Sequence, residues 1–135
     1  MTNNSVVVIG AAGHIGLPLS FLLAKHNFSV TGIDNEQKKI DLINKKKIPF
    51  IEYGLEKIIK KKNLKINFSD NIKEIRKNKH IIVTLGTPID EYLNPSYSDF
   101  FRMIDLIIRE LTDDHILILR STVAPGTTRK ILEKI

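Results

Sequence analysis

The 135-residue chain has no cysteine and no tryptophan, and only 7% of it is aromatic. Without a thiol these residues form no disulfide and no thiolate metal site, and they supply no cysteine nucleophile. That absence fits a reducing compartment. The four histidines, His14, His26, His80 and His115, fall at no metal-ligand spacing, so no metal is expected. Acidic residues are the scarcer charge, 15 against 21 lysines and arginines, which leaves a formal net charge of +6. The surplus is most visible at Lys45-Lys46-Lys47 and Lys60-Lys61-Lys62. No aromatic residue interrupts either triplet to stack on a base, and lysine dominates over arginine, so neither reads as a nucleic-acid surface. Both triplets instead close expected helices, where cations offset the negative end of the helix dipole. No apolar run approaches the ~20 residues of a membrane span. A core strand begins within a few residues of Met1 and leaves no room for a signal peptide. The expectation is a soluble cytoplasmic domain that binds neither nucleic acid nor membrane. Its length suits a single domain that buries about two thirds of its unfolded surface.

Against these absences stands one organised stretch, Val6 to Leu19, reading V-V-V-I-G-A-A-G-H-I-G-L-P-L. Four apolar residues run into Gly10, then Gly13 and Gly16 follow at three-residue spacing and open a helical pattern: strand, tight turn, helix. Gly10 permits the turn, Gly13 lets the backbone approach a pyrophosphate, and Gly16 lets the helix lie close on the strand. The free N–H groups of the helix start then face the anion. His14 either approaches the phosphates or is an exposed residue of the first helical turn. Ile15, Leu19, Leu22 and Leu23 are assigned to the apolar face of this helix, which ends near Lys25 to Asn27. Asp34 closes the second strand, Phe28 to Ile33, where its carboxylate can accept both hydroxyls of an adenosine ribose, an NAD signature. The same position would also suit a plain N-cap of the helix from Glu36 to Lys45.

Further along, Leu64 to Phe68 reads as a third strand, and Ser69 or Asp70 caps a short helix through Arg76. His80 to Leu85 is a fourth strand, apolar enough to be central, and it ends at Gly86-Thr87-Pro88. A polar loop from Asp90 to Ser98 leads to a helix from about Asp99 to Leu111, with Phe100, Met103, Ile104, Ile107 and Ile108 inward. Strand five, Ile116 to Leu119, runs into Arg120 and then Ser121 to Thr128, and a last helix follows. Strands alternating with helices imply right-handed crossovers and an α/β doubly wound parallel sheet of about five strands in order 3-2-1-4-5, with helices on both faces. The turns Gly10 to Gly16, Gly86 to Pro88 and Ser121 to Thr128 then share the carboxyl edge, where ligands of such sheets bind. Ser121 lacks an elbow glycine pattern and a partner base, so it is cofactor-lining or structural rather than a nucleophile.

Three motifs together carry a family resemblance: the glycine turn continuing into Gly16-Leu17-Pro18-Leu19, the segment Gly86-Thr87-Pro88-Ile89-Asp90-Glu91, and Ser121-Thr122-Val123-Ala124-Pro125-Gly126-Thr127-Thr128. The chain resembles the N-terminal NAD-binding domain of the UDP-glucose/GDP-mannose dehydrogenase family, in a form similar to its UDP-N-acetylmannosamine branch. The resemblance implies that the whole protein oxidises the C6 hydroxymethyl of a nucleotide sugar to a carboxylate while two NAD molecules are reduced in turn. It implies a catalytic cysteine, lysine, asparagine and aspartate beyond this segment. It carries over the cofactor side: Gly10, Gly13 and Gly16 at the pyrophosphate, Asp34 at the ribose, Thr87 and Pro88 beside the cofactor, and Ser121 and Thr122 near the nicotinamide. His14, Ile15 and Gly86, within the same turns, are assigned to the cofactor site beside them. Thr122 would also have a catalytic part, positioning a water or the reacting sugar oxygen. Ala11 and Ala12 both separate the first two glycines where the family commonly has one residue, which leaves open which N–H meets which phosphate.

Two other functions compete. Extended short-chain dehydrogenases and epimerases share the Gly-x-x-Gly-x-x-Gly spacing and use a tyrosine and a lysine four residues on, a spacing that Tyr53 and Lys57 happen to meet. They lie between strands two and three, away from where that family carries its pair. A non-catalytic nucleotide-sensing module has a similar length, glycine turn and acid, but gives no reason for Ser121 to Thr128. The dehydrogenase reading treats residues 1–135 as one NAD-binding domain of a longer protein. The nucleotide-sugar substrate would be held together with the missing domains, and a homo-oligomer is expected when intact.

Overall fold

The computed structural model describes residues 2–87 and 97–135. In chain order the elements are β1 (Ser5–Ile9), α1 (Gly16–Lys25), β2 (Ser29–Ile33), α2 (Gln37–Asn44), α3 (Leu55–Ile59), β3 (Ile66–Ser69), a 3-10 turn (Ile72–Lys77), β4 (His80–Val83), α4 (Ser98–Ile108), β5 (Ile116–Leu119) and α5 (Thr127–Leu132). The strands form one five-stranded parallel sheet in the expected order, β3-β2-β1-β4-β5. β1 lies at its centre, with Val7 opposite Thr31 on one side and Ile81 on the other. Every residue of β1 is buried. A continuous apolar strand suits this place, because helices cover both faces. On one face Val6, Val8 and Val30 meet Leu17, Phe21 and Ala24 of α1, Ile40 and Ile43 of α2, and Leu55 and Ile59 of α3. On the other, Val7, Ile9, Ile81 and Val83 meet Phe100, Ile104 and Ile107 of α4, Ile75 of the 3-10 turn and Ile131 of α5. Among the described residues no helix is long and apolar enough to cross a membrane.

The rotation of α1 differs from the sequence expectation. Ile15 is 52% and Leu22 46% exposed, and the face that meets the sheet is Leu17, Ser20, Phe21 and Ala24, with Leu23 of the expected face half-buried against the core. The cause is Gly16. A Cβ there would fall on the carbonyl oxygen of Gly10 and lie 2.8 Å from the Ala11 Cα, so the first turn of α1 rests directly on the loop and fixes the helix's rotation. Ser20 fits the buried face because its hydroxyl donates to the Gly16 carbonyl at 2.7 Å.

Smaller differences concern ends. The third strand is shifted toward Ser69, the fourth stops at Val83, and the α4 helix ends at Ile108. The short helix before β4 is of the 3-10 type and is capped by Asn71, whose side chain accepts the Lys73 N–H at 3.1 Å, rather than by Ser69 or Asp70. Both lysine triplets do begin where helices end, with Lys45 and Lys60 at the C-caps of α2 and α3.

Candidate dinucleotide site

All five strands point their carboxyl ends to one edge, and the turns there are tied to one another. Gly10 takes φ +81°, a left-handed conformation that L side chains resist, and this turns the chain sharply out of β1. The N–H groups of Gly10 and Ala11 both donate to the Ile33 carbonyl, at 2.9 and 3.1 Å. Ala12 donates to Asp34 Oδ2 at 2.9 Å, and Gly13 donates to the Gly10 carbonyl at 3.2 Å. The Leu17 N–H returns to the Gly13 carbonyl at 3.0 Å. Among the described residues this leaves the N–H groups of His14, Ile15 and Gly16 without a partner at the start of a ten-residue helix. Consecutive unpaired N–H groups at the positive end of a helix dipole favour an anion. The extra residue between the first two glycines is thereby accounted for: the Ala12 N–H is spent on Asp34.

Both carboxylate oxygens of Asp34 are engaged within the chain. Its Oδ1 accepts the Glu36 N–H at 3.0 Å, bracing the approach to α2, while Oδ2 holds the glycine turn through Ala12. The formal N-cap of α2 is Glu36, which makes no side-chain capping bond. Each carboxylate oxygen keeps a further lone pair for a hydroxyl. Nearby on α2, Lys39 is paired with Glu36 at 2.6 Å.

Two cavities lie along this edge. The larger, about 450 Å³, is bordered by Gly10, Gly13, Asp34, Glu36, Asp70 and Thr84 to Gly86, with Ile72, Met103 and Leu106 as apolar walls. The smaller, about 200 Å³, is bordered by Ile15, Thr87, Arg120, Ser121 and Thr122. They share Thr84, Leu85 and Gly86, so together they form one cleft across the ends of β2, β1, β4 and β5. The turns after β4 and β5 are knitted: the N–H groups of Arg120 and Ser121 donate to the Val83 carbonyl at 2.9 and 3.0 Å. The Thr87 hydroxyl donates to the Thr122 carbonyl at 2.8 Å. Behind them, the Ala124 N–H donates to the Tyr97 hydroxyl at 2.7 Å.

The residues singled out from sequence are therefore gathered on one edge. Gly10, Gly13, Asp34 and Gly86 line the larger cavity; Ile15, Gly86, Thr87, Ser121 and Thr122 line the smaller. Gly16 lies beneath the turn as a packing residue. His14 is exposed and its ring stacks on Phe50 at a centroid distance of 4.0 Å, which docks the loop before α3 against the glycine turn. Pro88 lies outside the described residues, as do residues 89–96 of the loop that follows. Thr84 is a site residue that the sequence reading missed. Its hydroxyl donates to the Ile9 carbonyl at 2.8 Å, with the Gly10 carbonyl at 3.3 Å, and it borders both cavities. The signal was present as the one hydroxyl in an apolar strand. Arg120 and the walls Ile72, Met103 and Leu106 were likewise not assigned to the site.

A doubly wound parallel sheet with a glycine turn after its central strand and an acid at the end of the next defines a dinucleotide-binding Rossmann domain. The chain belongs to the UDP-glucose/GDP-mannose dehydrogenase family: the model of that family's NAD binding domain matches residues 4–135. It is 30% identical over 138 residues to a UDP-N-acetyl-D-mannosamine dehydrogenase of Methanococcus maripaludis, covering 96% of this chain and 31% of the relative. It is 32% identical over 132 residues to an uncharacterised protein of Methanocaldococcus jannaschii, covering 96% of this chain and 15% of that protein. The solved UDP-D-ManNAc dehydrogenase of Pyrococcus horikoshii superposes with a TM-score of 0.88 at 26% identity, over 96% of this chain and 31% of that one. The chain thus spans less than a third of the length of these relatives.

Proposed function

We propose that residues 1–135 act as the NAD-binding domain of a dehydrogenase that oxidises the C6 hydroxymethyl of a UDP-sugar, of UDP-N-acetylmannosamine or UDP-glucose type, to a carboxylate. The observation that carries this reading is the set of three N–H groups at His14, Ile15 and Gly16, unpaired among the described residues, lying between the Asp34 carboxylate and the joined turns at Thr87 and Thr122. The pyrophosphate sits on those N–H groups. Asp34 accepts the adenosine ribose hydroxyls, and the adenine lies between Ile72 and the α4 residues Met103 and Leu106. The nicotinamide end reaches the smaller cavity, against Ile15, Thr87, Ser121 and Thr122. When bound, NAD supplies the hydride acceptor; this chain's residues bind it, orient it and present its reactive ring at the edge where Thr122 stands.

A carboxylate that accepts ribose hydroxyls repels a 2′-phosphate, so NAD binds in preference to NADP. Asp34→Ala should weaken NAD by about 1.5–3 kcal/mol, roughly ten- to a hundredfold, as expected for hydrogen bonds to a charged group. The same variant should lower the melting temperature, because the Ala12 and Glu36 N–H groups lose their acceptor. Calorimetric titration with both cofactors checks this, and equal affinity for NAD and NADP would remove the ribose assignment.

Taking an alcohol past the aldehyde requires a group that holds the aldehyde while a second hydride leaves. These 135 residues contain no thiol to form such an adduct. Incubated with NAD and UDP-glucose or UDP-N-acetylmannosamine, the chain should bind the cofactor and give no growth of reduced-cofactor absorbance. Sustained turnover would show a complete catalytic apparatus within it and overturn the division of labour proposed.

A further inference from the structure

The two halves of the cleft carry opposite charge. The larger cavity is bordered by the carboxylates of Asp34, Glu36 and Asp70, and its described lining holds no basic residue. The smaller is bordered by Arg120, and its described lining holds no acidic one. Arg120 is anchored at the end of β5 by its own N–H, which donates to the Val83 carbonyl at 2.9 Å. Its exposed side chain makes no ion pair or hydrogen bond among the described residues.

From this juxtaposition we propose that Arg120 makes the site hold the reduced dinucleotide in preference to the oxidised one. The inference rests on the NAD reading, in which the nicotinamide end occupies the smaller cavity. Hydride transfer moves one hydrogen with two electrons from an alcohol carbon to the nicotinamide, while the hydroxyl proton passes to water. The nicotinamide ring is cationic before that transfer and neutral after it. A guanidinium beside it opposes the first state and is indifferent to the second. Two like charges at a partly screened protein surface give a bias of roughly three- to thirtyfold. Because Arg120 is exposed, added salt screens its field and reduces the bias. Reciprocity of linkage sets the consequence: a site that opposes the cationic ring holds the oxidised cofactor less tightly and draws hydride from the alcohol more strongly.

The test uses the 135-residue chain and its Arg120→Gln and Arg120→Lys variants. Dissociation constants for NAD and NADH are measured by calorimetry and by the fluorescence of the bound reduced ring. The ratio Kd(NAD)/Kd(NADH) should fall roughly three- to thirtyfold in Arg120→Gln and be kept in Arg120→Lys, as the electrostatic argument requires. High salt should bring the unsubstituted chain toward the Arg120→Gln value. An unchanged ratio in Arg120→Gln, with both nucleotides still bound, overturns the role of Arg120 and leaves the dinucleotide reading standing. Failure of the unsubstituted chain to bind either nucleotide overturns that reading, and the inference falls with it.

Discussion

Gly13→Val is expected to lose NAD binding by at least about a hundredfold, about 2.7 kcal/mol, while its circular dichroism and melting curve stay close to those of the parent chain. The two effects separate because of what surrounds Gly13. Its backbone is not in the left-handed region, and among the described residues an added Cβ would meet the Gly10 carbonyl oxygen at 3.3 Å. The loop has to give by only a few tenths of an ångström, far less than an added Cβ at Gly16 would demand. Gly13 does border the larger cavity and stands next to the N–H groups of His14 and Ile15, unpaired among the described residues, so the two methyl groups of valine would occupy the space the phosphates need. Calorimetry with NAD and a thermal melt on the same sample decide the matter. An unfolded variant would make Gly13 a packing glycine, and retained affinity would move the pyrophosphate elsewhere.

Gly16→Ala should show the converse: loss of stability with binding lost only as a result. The added Cβ would fall on the Gly10 carbonyl oxygen and lie 2.8 Å from both Gly10 C and Ala11 Cα, all of them backbone atoms that cannot rotate away. Either α1 lifts from the loop or the loop opens, and both disturb the buried face of Leu17, Phe21 and Ala24. Overpacking against backbone costs about 3 kcal/mol. Urea denaturation should show a lower midpoint with an unchanged slope. A midpoint equal to that of the parent chain would mean that the helix start yields freely and does not set the rotation of α1.

That rotation marks the boundary of what the sequence made legible. Strand order followed from apolar runs at helix-bearing intervals, because a right-handed crossover leaves few ways to arrange them. The edge holding Gly10, Asp34, Gly86 and Ser121 followed in turn, since parallel strands place all such turns together. The facing of α1 did not. With Ile15, Leu17, Leu19, Phe21, Leu22 and Leu23 in one short segment, apolar residues surround the helix, and hydrophobicity alone does not select a face. Contact between two glycines selects it, and that contact depends on the third dimension. The same holds at Ser69-Asp70-Asn71, three adjacent residues that can all cap a helix: backbone geometry chose Asn71. Thr84 and Arg120 went unassigned for a related reason. Thr84 reads as a strand residue and Arg120 only as the residue that follows strand five, until the sheet sets them on the cleft.

The knot of hydrogen bonds around Thr84 also orders events in time. β1 pairs with β2 at Ser5 and Ser29, within one short crossover, but its other edge must await β4, where Val6 meets His80. During synthesis β1 therefore remains open along one side until the segment through His80 has emerged. Contacts so distant in sequence form late and slow the acquisition of the native state. The glycine turn shares that delay, because the Ile9 carbonyl finds its partner on Thr84, at the end of the strand that arrives last against it. A nascent chain can thus assemble its β1-α1-β2 unit early and still offer no finished dinucleotide cleft. Cofactor capture becomes a late event in maturation, and a ligand present during synthesis can stabilise the completed sheet but cannot template its first half.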